Sequence, residues 1–223
     1  MKHTLFQISI ALCIFLSTVT LSLAQQNVEL RRSRSVFEFD KFRPARIMQP
    51  FGRHVTDSVN IFLKDASLCF LREGRVYKAD VSKVLGLQAD SAEYRMVGTQ
   101  MGRIVARRGY NLLLCVTTVN MHQYETEIGS REHQTFFEVI PDLGPGAFLD
   151  LDHEALREED KGYPLNETYY FWIKGEIVPA KESKFKKYVR PEMRSAFRAL
   201  MDDRFWSWKS GKSLTQLLVY LPD

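Results

Sequence analysis

Cysteine and histidine are scarce in this chain, and no long apolar run follows the first two dozen residues. Three cysteines, Cys13, Cys69 and Cys115, are too few for a disulfide scaffold of the small secreted kind. Cys69 and Cys115 each lack a second cysteine two to four residues away, which excludes a structural zinc site. None of His54, His122, His133 and His153 pairs with another at the three- or four-residue spacing of a helical zinc motif. No later segment approaches the roughly 20 apolar residues that a membrane helix needs. No G-x-S-x-G elbow occurs. Ser210-Gly211-Lys212-Ser213 copies the end of a phosphate-binding loop, but Trp206 stands where the first glycine belongs. There is no internal repeat and no low-complexity tract.

The beginning of the chain is informative. Lys2 and His3 precede an apolar run from Ile8 to Leu23, and Ser22-Leu23-Ala24 places small residues at −3 and −1 before Gln25. This is the pattern of a cleaved export signal over residues 1–24. Leu12 before Cys13 is not the small residue that lipidation requires. The mature chain of 199 residues (25–223) has the length of one ordinary domain. Its expected location is periplasmic or secreted.

Charge is unevenly spread. Residues 25–60 hold seven Lys/Arg against four Asp/Glu, residues 140–160 one against seven, and residues 181–212 ten against four. Residues 25–57, polar and arginine-rich with Pro44 and Pro50, read as a flexible basic lead-in of low order until a partner binds, with a short strand candidate at Val36-Phe37-Glu38-Phe39. Residues 58–223 read as a single α+β domain.

Hairpins dominate that domain. Ser67–Ala79 turns at Arg72-Glu73-Gly74-Arg75. Gly102–Arg107 runs into Arg108-Gly109 and returns as Tyr110–Val119. Leu112–Val116 is apolar on both faces, as in a covered central strand. Val81–Leu87 is a connector packing Val84, Leu85 and Leu87. Tyr94–Val97 and Thr135–Ile140 are further strand candidates, and Thr168–Lys174 with Glu176–Val178 forms a third hairpin. After Pro179 the period becomes helical. Met193, Phe197, Leu200 and Met201 form one stripe. Ser213 and Gln216 have capping-box spacing, followed by Leu214, Leu217, Leu218 and Leu221. Phe205, Trp206 and Trp208 are expected to seat both helices. The expected fold is a mostly antiparallel sheet of consecutive hairpins, covered on one face by two C-terminal helices.

Chemistry-bearing candidates are sparse. Asp150, Asp152 and Glu154 alternate in a way that suits Ca²⁺, but without the glycine and distal glutamate of an EF-hand loop. A His–carboxylate pair assembled in the fold would draw on His153 or His133 with Asp150 or Glu138. Cys69 and Cys115 permit one disulfide in an oxidising compartment. Each also sits in an apolar run, where free cysteine behaves as a small hydrophobe. Lys184, Lys186, Lys187, Arg194 and Arg198 form a candidate partner surface. For an exported protein this is a solvated helix face rather than a nucleic-acid site. No cofactor or metal is expected.

The signal ending in SLAQQ, the run SLCFLREGRVYKADVSKVLGLQADS and the segment GRIVARRGYNLLLCVT resemble uncharacterised exported proteins of Bacteroides-type bacteria. The resemblance implies a periplasmic or surface location and carries no catalytic residues. Two functional expectations follow. One is a non-enzymatic binding or assembly module whose partner is an envelope protein or polymer. The other is an envelope hydrolase built on the His–carboxylate pair. A deep pocket holding a histidine and a carboxylate would favour the second, and a shallow surface the first.

Overall fold

The computed structural model describes residues 31–128, 148–150 and 162–222. It shows an α+β fold dominated by antiparallel hairpins. Twelve strands are assigned within these residues: β1 (Arg32–Ser33), β2 (Arg43–Met48), β3 (His54–Phe62), β4 (Ser67–Arg72), β5 (Arg75–Lys78), β6 (Gly86–Ala89), β7 (Ala92–Val97), β8 (Gln100–Arg108), β9 (Asn111–Val119), β10 (Phe148–Asp150), β11 (Tyr163–Ile173) and β12 (Glu176–Pro179). The helices are α1 (Met121–Ile128), α2 (Glu182–Phe185), α3 (Arg194–Met201) and α4 (Gly211–Leu217). The strand order is β1-β11-β9-β8-β7-β6-β2-β3-β4-β5-β10, with β12 on β11.

The three expected hairpins form as β4–β5, β8–β9 and β11–β12. Two of their turns put consecutive residues in the left-handed region. Glu73-Gly74 (φ 51° and 76°) and Lys174-Gly175 (φ 52° and 87°) have the backbone that matches strand twist in a two-residue loop. β9 lies between β8 and β11, and Asn111 to Thr117 are buried. β8 carries one irregularity. Ile104 pairs with Leu114 and Ala106 with Leu113, so Val105 is an extra residue, a β-bulge.

The segment expected as a loose lead-in enters the sheet from Arg31 onward. β2 inserts between β3 and β6, and Ile47 pairs with both Val55 and Leu87. The expected boundary at residue 58 thus falls inside β3. The segment's apolar residues are few but well placed: Val36, Phe37, Ala45 and Ile47 are all buried. Residues 31–39 then bridge two distant strands. Leu165 N–H donates to the Arg31 carbonyl (2.8 Å), Leu63 N–H to the Val36 carbonyl (2.8 Å) and Glu38 N–H to the Ile61 carbonyl (2.9 Å). Val119 N–H donates to the Leu63 carbonyl (2.8 Å). These bonds curl the sheet into a half-barrel.

Asn60 fixes the end of the strap. It is 1% exposed, and its carboxamide exchanges two hydrogen bonds with the Phe39 backbone: Nδ2 to the carbonyl (2.8 Å) and Phe39 N–H to Oδ1 (3.0 Å). A side chain here replaces a backbone ladder rung.

The C-terminal helices pack on Leu113, Phe171, Ile173 and Val178 of β9, β11 and β12. The expected stripe holds: Phe197 is buried, stacked on Phe185 at 5.9 Å, with Met193, Leu200 and Met201 beside it. Leu214, Leu217, Leu218 and Leu221 are buried as expected. Three details differ. Phe205 is 78% exposed beneath the Arg204 guanidinium, so only Trp206 and Trp208 (ring centroids 4.7 Å apart) seat the helices. Ser210, not Ser213, caps α4, accepting from Ser213 N–H at 3.4 Å; the Ser213 hydroxyl accepts instead from Ser207 N–H. In the connector after β5, Val84 and Leu87 are buried but Leu85 is 48% exposed. Helix α1, absent from the sequence reading, is capped by Asn120 and buries Tyr124 against Tyr163.

Carbonyls at the end of the chain are tied down by upstream side chains. Arg108 Nη1 donates to Leu218, Arg190 Nη2 to Val219 and Asn111 Nδ2 to Pro222, the last at 2.7 Å. The helices therefore belong to the folding unit. Phe197→Ala should cost about 3–5 kcal/mol and lower the midpoint of a single transition seen by sheet and aromatic signals alike. Truncation before Pro191 should yield no cooperatively melting domain; a truncated chain melting near the full-length midpoint would contradict this.

Asn60→Leu should cost about 1–3 kcal/mol by leaving the Phe39 amide and carbonyl without their partner. Denaturant titration checks this, and amide exchange should localise the loosening to residues 36–39.

Candidate functional site

Two groups of polar side chains lie on the described part of the molecule, one along the seam where the strap meets the sheet and one in an open cleft. The seam group follows from strand register. Tyr94 of β7 lies opposite Arg103 of β8, Arg103 opposite Cys115 of β9, and Cys115 opposite Tyr169 of β11. These residues form one row on one sheet face. Glu167 and Thr117 make the next pair. The strap adds a residue at each end. Arg31 Nη1 meets Glu167 Oε1 at 2.9 Å, and Glu38 accepts a hydrogen bond from Tyr94. Tyr169 Oη donates to Glu167 Oε2 at 2.7 Å.

The two carboxylates are driven apart. Burial raises the Glu38 carboxyl above its ordinary range, only partly countered by Arg31 and Arg103. Burial also pushes Glu167 upward, but the Tyr169 hydroxyl and Arg31 outweigh it and hold the group below its ordinary range. Such a split is a signature of acid–base catalysis. Space at the Glu38 end is small: the cavity among Glu38, Tyr94, Arg103, Cys115 and Thr117 measures about 10 Å³, room for no more than one water, while Arg31 and Glu167 stay partly exposed at the other end. The cluster is the polar lining of the strap closure.

Neither described cysteine sits in surroundings that favour its thiolate. Burial pushes the Cys115 thiol up to about 11 and the Cys69 thiol up to about 12, so both are protonated at neutral pH. Both are buried and free, with no disulfide between them.

The open group is a cleft of about 570 Å³ on four neighbouring strands. Leu112 on β9 lies between Arg107 of β8 and Trp172 of β11 in register. Glu93 and Arg95 come from β7, two residues apart and so on one face. The Gly109-Tyr110 and Lys174-Gly175 turns form the walls. Leu113 and Phe171, the neighbours of Leu112 and Trp172, face the C-terminal helices. The cleft therefore opens on the opposite face of these strands. Tyr110 is 88% exposed. Arg107 Nη2 is neutralised by Glu93 at 2.5 Å, whereas Arg95 and Lys174 have no carboxylate partner among the described residues.

A second hollow, of about 440 Å³, lies over Ile47, Val55, Phe70 and Val84. Its charges are already paired, Arg72 with Asp57 and Lys83 with Asp80. Besides these pairs its described lining offers one polar side chain, Gln49, and no unpaired charge.

The chain matches no family model, no curated protein and no solved structure. Its function must therefore be read from its own residues.

Most sequence candidates lie elsewhere. His133, Glu138, Asp152, His153 and Glu154 fall outside the described residues. Asp150 ends β10 opposite Arg75, with its side chain likewise outside them. The described histidines, His54 and His122, are exposed and line no cleft. Among the described residues no three His, Cys, Asp or Glu side chains converge on a metal position, and no helix is long and apolar enough to cross a membrane. Lys184, Lys186 and Lys187 are exposed on and just after α2, and Arg194 and Arg198 on α3. None of the five has an ion-pair partner among the described residues, and they form no cavity with one another. The cleft residues were missed because they are scattered. Arg95, Tyr110, Trp172 and Lys174 come from three separate hairpins, and the only available signal was the aromatic arm Tyr169-Tyr170-Phe171-Trp172.

The opposed carboxylates give opposite pH behaviour. Glu38 has a folded value above its unfolded one, so stability falls as pH rises above its ordinary 4.5. Glu167 has a folded value below its unfolded one, so its contribution is present above 4.5 and is lost as pH falls. Glu38→Gln, which keeps an acceptor for Tyr94, should leave the pH 7 unfolding midpoint unchanged or raised. Glu167→Gln should lower stability there by about 1 kcal/mol, the scale of a half-exposed ion pair. Denaturation across pH 4–8 separates the two; equal destabilisation at pH 7 would contradict the assignment.

Proposed function

We propose that this chain is an exported, non-enzymatic binding module of the bacterial envelope, and that the cleft between the β8–β9 and β11–β12 turns is its recognition surface. The residues that carry the reading are Trp172, Tyr110, Arg95 and Lys174. They supply aromatic area and, among the described residues, cations without a carboxylate partner, in an open hollow whose described lining holds no histidine. Aromatic and arginine side chains are the usual anchors of recognition surfaces. The acid–base-like cluster, by contrast, has no hollow larger than a water at its Glu38 end.

In this reading the export signal delivers the chain to the periplasm or the exterior. The C-terminal helices pack on the Leu113 and Phe171 side of these strands, the other side is largely filled by the core around Leu114 and Val116, and the cleft at its end is left for an envelope polymer or protein. The exposed lysines and arginines of α2 and α3 serve solubility or a secondary contact.

The test is co-sedimentation of mature chain 25–223 with isolated envelopes. Tyr110→Ala, an exposed site whose loss leaves the core intact, should weaken binding at least tenfold, equivalent to about 1.4 kcal/mol. Trp172→Ala should weaken it further. Undiminished binding by both variants would overturn the cleft as the recognition surface, and breakdown of an envelope polymer by the pure chain would overturn the non-enzymatic reading.

A further inference from the structure

We infer that the ligand of this cleft is an acidic polysaccharide, held by its carboxylate or phosphate groups on Arg95 and Lys174 and by a sugar ring on Trp172. The inference rests on the binding-module reading and names its substrate class.

Charge comes first. Among the described residues the lining holds three cations and one carboxylate, and Arg107 is committed to that carboxylate, Glu93, at 2.5 Å. Arg95 and Lys174 therefore give the hollow a local excess of two positive charges. Unpaired cations beside an aromatic wall are complementary to an anion. The arginine fork and the ammonium are the donors that carboxylate and phosphate oxygens accept best.

Backbone supply decides between polymer classes. An extended peptide gains affinity by adding a strand to a free sheet edge. No such edge underlies this cleft. β7 is bonded to β6 and β8, β8 to β7 and β9, β9 to β8 and β11, and the Trp172 stretch of β11 to β9 and β12. The floor offers side chains only. Nor is there a deep apolar pocket for a peptide anchor, since Leu112 is 8% exposed at the base. A sugar chain suits what remains. Its ring presents a flat C–H face to the indole, and its hydroxyl and acid oxygens point to the guanidinium, ammonium and phenol groups around it. The cleft is long enough to be bounded by two separate hairpin turns, which suits more than one residue of a chain.

The experiment is calorimetric titration of mature chain 25–223 with four probes: oligogalacturonate, its methyl-esterified form, a phosphorylated dextran oligomer and poly-glutamate. Oligogalacturonate or phosphorylated dextran should bind, and whichever binds tighter identifies the source of charge. The neutral methyl ester and poly-glutamate should each bind at least tenfold more weakly. Affinity should fall as salt is raised. Arg95→Gln, which keeps the aliphatic stem, and Lys174→Asn, which suits the left-handed turn position (φ 52°), should each weaken binding several-fold without moving the thermal midpoint. Equal binding of the methyl ester would overturn the role of charge, and equal or tighter binding of poly-glutamate would replace the sugar with an acidic peptide. If no probe binds while envelope binding still depends on Tyr110, the polysaccharide assignment falls and the cleft reading stands. If Tyr110 is dispensable as well, both fall.

Discussion

The backbone of Leu63 is the point on which the architecture turns. Its N–H donates to Val36 and its carbonyl accepts from Val119, so one residue at the end of β3 holds both the strap and the end of β9. A wide antiparallel sheet otherwise exposes unpaired groups along its edges, which invite pairing with other chains. Here the strap, β1 and the Asn60 carboxamide occupy some of those groups, at Leu165, Leu63, Ile61 and Phe39, from within the molecule. Packing reinforces the hydrogen bonds. Val36, Phe37, Phe62, Leu63, Val119, Tyr124, Tyr163 and Leu165 form one buried cluster around the junction. Gly162 approaches the Ser33 carbonyl so closely that a Cβ there would lie 2.7 Å from the oxygen, at a φ of +67°. The closure leaves that position only to glycine.

Once the strap is seated, the charges it carries have few options. Arg31 reaches Glu167, and Glu38 is pressed toward Tyr94 and Arg103. Two carboxylates in unlike surroundings are then shifted in opposite directions by the closure itself. Burial generates perturbed acidity wherever a polar residue must cross a closing seam. Access to substrate, not the size of the perturbation, separates such a seam from an active site.

Hairpins closed by two-residue turns were legible because turn chemistry and alternation act over a few residues. The C-terminal helices were legible for a similar reason, their stripe of Met193, Phe197, Leu200 and Met201 being local. The strap, β2 and β6 were not. β2 carries Pro44 and two arginines and gains its stability from Val55 and Leu87, the latter forty positions beyond Ile47. Nothing within its own six residues announces that pairing. The choice of Ser210 over Ser213 as the α4 cap turned on Ser213 being claimed by Ser207 N–H, a contact that spacing does not encode. The cleft was illegible for the deeper reason that it is a property of register: Arg107, Leu112 and Trp172 share a face only because three strands align as they do.

That alignment depends on one residue of β8 being held out of the ladder. Before Val105, Arg103 shares the face of Cys115 and Ile104 that of Leu114; beyond it, Ala106 shares the face of Leu113 and Arg107 that of Leu112. The bulge thus absorbs Val105, so that the small alanine meets Leu113 and the arginine reaches the cleft. Loss of the codon for Val105 would keep both pairs and only straighten the strand. Pairing Val105 with Leu113 would be the damaging event, because Ala106 would then lie opposite Leu112 and every residue beyond it would slip by one, taking the arginine out of the cleft row. The bulge is therefore where an insertion has been tolerated without cost to the residues on either side of it.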